Sequence, residues 1–161
     1  MARSASIKTP KKSPGKSPGK SPGKLHDSTC PVAFALDLFG DRWSLLVVRD
    51  LMLRGDKTYG ELLDGGEGIA TNILADRLKT LEAAGIVTAR PDPENRRRKI
   101  YSLTDKGLDL APVVIEIVRW SGTHDKRPDA RKALARRIAG DAKGVLADIR
   151  ARRPVSRWPA D

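Results

Sequence analysis

The sequence predicts an α+β fold that is mostly helical, and three observations predict it. From Ile69 onward, apolar residues Ile73, Leu74, Leu78 and Leu81 recur at helical spacing, and Gly85 follows as a stop signal. A short apolar strand begins at Ile86-Val87 and another returns at Ile100-Tyr101-Ser102-Leu103. The cluster Pro91-Asp92-Pro93-Glu94-Asn95 between them reads as a hairpin turn. Arg96, Arg97, Arg98 and Lys99 then stack four positive charges at the exit of that turn. A helix tied to a small hairpin with a cationic tip is a winged helix-turn-helix arrangement. The helix suits the major groove of DNA and the hairpin reaches flanking phosphates. The plain alternative is a soluble α+β domain with a solvated charge run, and the ordered combination favours DNA.

Each preceding element has its own justification. Residues 13 to 24 are SPGK three times over, so residues 1–24 are expected to be a disordered basic tail. Order is expected to begin near Cys30. Pro31 suits a first helical turn, Val32, Ala35, Leu36 and Phe39 keep helical spacing, and Gly40 ends the segment. Asp41 can cap the next helix, where Trp43 to Leu53 is apolar around most of its circumference, as a buried central helix requires. Thr58-Tyr59-Gly60-Glu61 fits a capping box, and Gly65-Gly66-Glu67-Gly68 forms the turn into the Ile69 segment. Two helices joined by a glycine-rich turn complete the helix-turn-helix.

Past Leu103, Thr104 can cap a helix carrying Leu108, Val114, Ile117, Val118 and Trp120, which Pro112 should kink or divide. So many large residues at one end of a small domain call for a covering surface. A second copy of the chain would supply it, with Val32, Leu36, Val114, Ile117 and Trp120 in the interface. Packing within the chain, onto the Cys30–Phe39 helix, is the other way to cover them. Residues 25–122 thus form the expected winged domain. Residues 123–161 form a basic, helical extension in which Leu134, Ile138, Val145, Leu146 and Ile149 line one face, interrupted at Gly140 and Gly144. That extension is expected to lie on a dimer or against the DNA backbone.

Charge supports the division. The 161 residues carry a net charge of +11, distributed as +7 over residues 1–24, −3 over 25–125 and +7 over 126–161. Cationic segments flanking a near-neutral core add salt-dependent, sequence-independent affinity for polyanions. No apolar run reaches the roughly 20 residues that span a bilayer, and no apolar segment follows the basic N-terminus. A single cysteine fits a reducing cytoplasm, with the nucleoid as the expected place of action. Catalysis finds little support. His26 and His124 are the only histidines and Cys30 is alone, so no Cys/His zinc cluster assembles and no cofactor is expected. The glycine run lies between two helices rather than after a strand, which argues against a phosphate loop.

With its apolar face turned inward, the Ile69 helix exposes Thr71, Asn72, Ala75, Asp76 and Lys79. Asn72 is the first candidate for base contact through an adenine edge, then Thr71, with Lys79 for guanine or phosphate. Asp76 repels phosphates unless Arg77 pairs with it, and Arg77 is either a DNA contact or an internal strut. In the wing, Arg96, Arg97 and Arg98 would alternate sides if the strand has already begun, so one or two of them would face DNA. An architectural protein that coats DNA without sequence preference is the rival class, separable by the affinity ratio of operator to random DNA.

Several short motifs, taken in order, resemble the HxlR-type winged helix-turn-helix regulators. They are Cys30-Pro31-Val32, Leu38 to Trp43, Arg77-Leu78-Lys79-Thr80-Leu81-Glu82 with Gly85-Ile86-Val87, Tyr101 to Gly107, Leu110-Ala111-Pro112-Val113 and Trp120. The resemblance covers roughly residues 30–122. It implies a homodimeric bacterial transcription regulator with N- and C-terminal helices at the dimer interface. The wing, PDPENRRRK, is more charged than is usual there and resembles a MarR-type wing; both basic tails lie outside the pattern. Some members sense oxidants or electrophiles through a cysteine at the position matching Cys30. This thiol precedes Pro31 near a helix N-terminus, a setting that favours the thiolate. An inert, half-buried residue at the dimer interface is the alternative role.

Overall fold

A computed structural model describes residues 29–127 and 132–152. The SPGK tail and His26 lie outside these residues, as does the chain beyond Arg152. Helix α1 spans Pro31–Phe39, with Pro31 in its first turn and none of its residues buried. Helix α2, Ser44–Arg54, is the central element, burying Val47, Val48, Leu51, Met52 and Leu53. Its start is set by Asp41. One carboxylate oxygen accepts the amide protons of Trp43 at 2.7 Å and Ser44 at 2.9 Å, and the other accepts the hydroxyl proton of Ser44. Ser44 is fully buried, so this bond removes the penalty of hiding a hydroxyl.

After the short strand β1, Lys57–Thr58, the expected capping box opens α3, Tyr59–Leu63. Thr58 Oγ1 accepts from the Glu61 amide, and the Glu61 carboxylate accepts from the Thr58 amide at 2.8 Å. The glycine-rich turn leads to α4, Thr71–Ala83, which buries Leu74, Leu78 and Leu81 against α2. These three leucines are at most 2% exposed, and each such burial is worth about 1.5–3 kcal/mol. Gly85 closes α4 at φ +68, a left-handed backbone that suits glycine. Its amide donates to Glu82 O and the Ile86 amide donates to Leu81 O at 2.9 Å, the paired bonds of a Schellman stop.

Strands β2, Val87–Pro91, and β3, Lys99–Leu103, form the antiparallel wing, with Val87 opposite Leu103 and Pro91 opposite Lys99. Strand β1 joins the far edge of β3, giving the order β1-β3-β2. Thr104 then caps α5, Asp105–Leu108, and α6 follows from Ala111 to His124. The division expected at Pro112 is present, with the proline in the first turn of α6. Helix α7, Ala133–Arg150, packs against α6. The interruption expected between Gly140 and Gly144 is a kink at Asp141, whose carboxylate accepts the Gly144 amide proton and restarts the helix. Leu134, Ile138, Val145 and Ile149 are buried, so the extension completes the core of its own chain. Gly122 permits the close fit: a Cβ there would stand 2.4 Å from Ala135 Cβ.

Two expectations need correction. Val114 is 6% exposed within its own chain, because it sits on the inner face of α6; Val113 stands on the outer face instead. Ile73 is exposed rather than part of the inner face of α4, because it lies in the first turn, one residue before the core contacts start at Leu74.

Burial alone would push the Asp41 carboxyl up, but the bonds from Ser44, Trp43 and Arg77 outweigh it and hold its pKa below the ordinary aspartate value. Its stabilisation is therefore present above about pH 4 and is lost as pH falls through the lower folded value. Asp41→Ala should cost about 1–2 kcal/mol at neutral pH, the worth of a lost cap. Urea unfolding at pH 7 and pH 3 checks this: the gap between wild type and variant should narrow at the lower pH.

Candidate DNA interface

The presenting end of α4 is built from its neighbours. Ala70 precedes the helix without a side-chain cap, and the first turn holds no acidic residue, so its free amides and positive dipole end face outward. Tyr59, from α3, donates its hydroxyl proton to the Thr71 carbonyl at 2.6 Å and ties the two helices of the motif together. The turn between them is anchored from below. Arg49 donates to Asp50 at 2.8 Å and to Glu67 at 2.9 Å, joining the buried end of α2 to the glycine-rich run. Burial raises the pKa of Asp50, and the adjoining Arg49 guanidinium opposes that rise.

Thr71, Asn72, Asp76 and Lys79 are exposed, as expected. Arg77 is the strut: it reaches back to the Asp41 carboxylate at 3.0 Å and also holds Asp76. Of the expected recognition-helix contacts, Arg77 is thus drawn inward, and Asp76 presents a neutralised carboxylate. The exposed Ile73 sits beside Asn72 and adds an apolar contact of the kind that meets a thymine methyl. It was missed because its spacing fits the buried stripe; its place before the first full turn was the available signal.

The wing departs from the expected alternation. Strand β3 begins at Lys99, so Arg96, Arg97 and Arg98 belong to the loop and all three are exposed. Arg98 is clasped by Asp92 at 3.1 Å. Asp92 is one of the few buried polar residues, and its carboxylate also accepts the Glu94 amide proton at 3.0 Å. Its own amide donates to Arg98 O, and Asn95 receives the Arg97 and Arg98 amides, which closes the loop. Arg96, Arg97 and Lys99 have no ion-pair partner among the described residues, so their charges are available to phosphates. The sequence hint for the clasp was an aspartate between two prolines in a turn, a residue type that caps its own backbone.

A helix-turn-helix with a presented second helix and a cationic hairpin beside it defines a winged helix-turn-helix protein. Residues 38–129 match the HxlR-like helix-turn-helix family, and the chain belongs to that family. It is 41% identical over 86 residues to an HTH-type transcriptional regulator of Synechocystis, covering 53% of this chain and 63% of that protein. The HTH-type transcriptional regulator YodB of Bacillus subtilis is 36% identical over 96 residues, which are 59% of this chain and 85% of that one. The reduced form of YodB superposes at a TM-score of 0.52 with 35% identity, covering 63% of this chain and all of that one. The redox regulator HypR, reduced, gives 0.53 at 31% identity over 60% of this chain and 95% of that one. Among the described residues, no group of three metal-ligating side chains occurs, and no helix is long and apolar enough to cross a membrane.

The wing geometry separates two arginine roles. Arg97→Ala should weaken binding to all duplex DNA and make the slope of log affinity against log salt shallower by about 0.9 for the phosphate lost. Asp92→Ala should weaken binding by loosening the loop, with that slope nearly intact. Fluorescence anisotropy at several salt concentrations measures both.

Proposed function

We propose that the chain is a sequence-specific transcriptional regulator, a repressor that binds an inverted-repeat operator as a homodimer in the nucleoid. The observation that carries this reading is the exposed Thr71-Asn72-Ile73 turn at the head of α4, flanked by unpaired wing cations. Non-specific coating needs cations alone, whereas a presented turn with bidentate and apolar groups serves base readout. Dimerisation is supported by apolar residues left uncovered on α1 and α6. Val32, Phe34, Leu36, Val113, Ile117 and Trp120 are 45% to 66% exposed. An apolar surface of that kind marks an interface. Repression follows from occupancy, since a dimer seated on promoter DNA blocks other proteins there.

Selection from a random DNA library with the full chain tests this reading. It should return an inverted repeat with half-sites about one or two helical turns apart. Asn72→Ala should then lose about 1–3 kcal/mol of discrimination between that site and random DNA. A library that emerges without a preferred sequence would favour the architectural alternative, with the basic tails as its main contact.

Cys30 is assigned the role of sensor for oxidants or electrophiles. It is exposed at the N-cap of α1, next to the uncovered apolar residues of that helix. Its similarity to YodB, solved in a quinone-bound form, and to the redox regulator HypR supports this. Adduct formation there would alter the surface proposed for dimerisation. Cys30→Ser should bind operator normally and keep that affinity after treatment with a quinone or diamide, while wild type loses it. Equal responses in a mobility-shift titration would remove Cys30 from the mechanism.

A further inference from the structure

A cavity of about 410 Å³ lies where α7 meets the winged body, away from the wing tip. Its walls come from the C-terminal end of α2, the end of β3, α5 and the last turn of α7. Leu51, Leu103, Leu108 and Ile149 give it an apolar lining. Three features distinguish it from a packing defect. Its size lies within the roughly 300–1,000 Å³ typical of small-molecule sites. The Ser102 residue that contributes to its wall has a buried hydroxyl with no hydrogen-bond partner. An unsatisfied buried hydroxyl is costly to keep and calls for an explanation.

The third feature is Arg152. It follows α7 at φ +53, in the left-handed region that glycine commonly fills at a helix end. Its guanidinium donates to Leu103 O at 2.7 Å and to the exposed Asp105 carboxylate at 3.1 Å. Those bonds engage only part of a group with five N–H donors. Arg54 contributes a second guanidinium to the wall. The carboxylate in the same wall, Asp56, is drawn toward Arg90 at 3.4 Å. Gly55, at φ +79 with open space beside its Cα, leaves that side of the cavity clear.

We propose that this cavity between the C-terminal helix and the winged body is a binding site for small organic acids with an apolar body. The hydrocarbon portion lies along Leu51, Leu103, Leu108 and Ile149. The carboxylate faces Arg152 and Arg54, and Ser102 gains the hydrogen bond it lacks. The matched family segment stops at residue 129, so the site depends on a helix that lies outside it. The site does not depend on DNA recognition, since a chain without any operator would still bind the acid.

Isothermal titration of the full chain with phenylacetate and with hexanoate tests the site, using 2-phenylethanol and 1-hexanol as uncharged counterparts. Each acid should bind saturably at one per chain, and about tenfold or more tightly than its alcohol, as a charge-assisted contact implies. Arg152→Gln should lose most of that advantage. Ser102→Ala should weaken binding about threefold or more while leaving thermal stability unchanged or higher, because its hydroxyl has no partner to lose. The proposal is overturned if neither acid saturates below about 10 mM, if acids and alcohols bind alike, or if both variants titrate like wild type.

Discussion

The Asp41 carboxylate is the point on which the DNA-facing half of the molecule hangs. It satisfies the free amides at the head of α2, accepts the hydroxyl of buried Ser44 and receives Arg77 from α4. Those contacts fix both the register of the central helix and the rotation of the helix that is offered to DNA. A charge-assisted bond holds α4 by its solvent-facing flank while Leu74, Leu78 and Leu81 hold it from below. Rotation about the helix axis would break one set or the other. The presented turn is therefore preorganised by one aspartate, thirty-six positions away along the chain from its arginine partner.

What was legible in the sequence follows from how local each signal is. The capping box at Thr58 and Glu61, the stop at Gly85 and the two wing strands depend on neighbours within a few residues, and the structure contains them all. The winged helix-turn-helix was readable for that reason, as was exposure of Asn72. Arg77 and Arg98 were ambiguous because their partners, Asp41 and Asp92, are identified by three-dimensional approach rather than by spacing. Val114 and Val113 differ by one helical step, and only the packing of α6 on its neighbours decides which of the two turns inward. In the wing, assigning strand alternation to Arg96–Arg98 failed because the loop runs through Arg98.

Charge and structure are separated in this chain with some economy. The body between the tails is near neutral, and several of its exposed cations are committed to carboxylates, as with Arg77, Arg90, Arg98 and Arg152. The uncommitted ones concentrate at the wing. A local field of this kind orients the molecule on a polyanion more effectively than the same charge spread evenly, since orientation depends on asymmetry rather than on the total.

The contact between Gly122 and Ala135 bears on how the chain can be shortened. It lets α7 lie so close to α6 that Leu134, Ile138, Val145 and Ile149 become part of the common core. A fragment ending at the family boundary near residue 129 is therefore not a smaller version of the protein. Its α6 would carry bare apolar surface on the face that α7 covers as well as on the face already uncovered. Such a fragment would be prone to self-association for reasons unrelated to biological pairing, and any oligomer it formed would be a product of the cut.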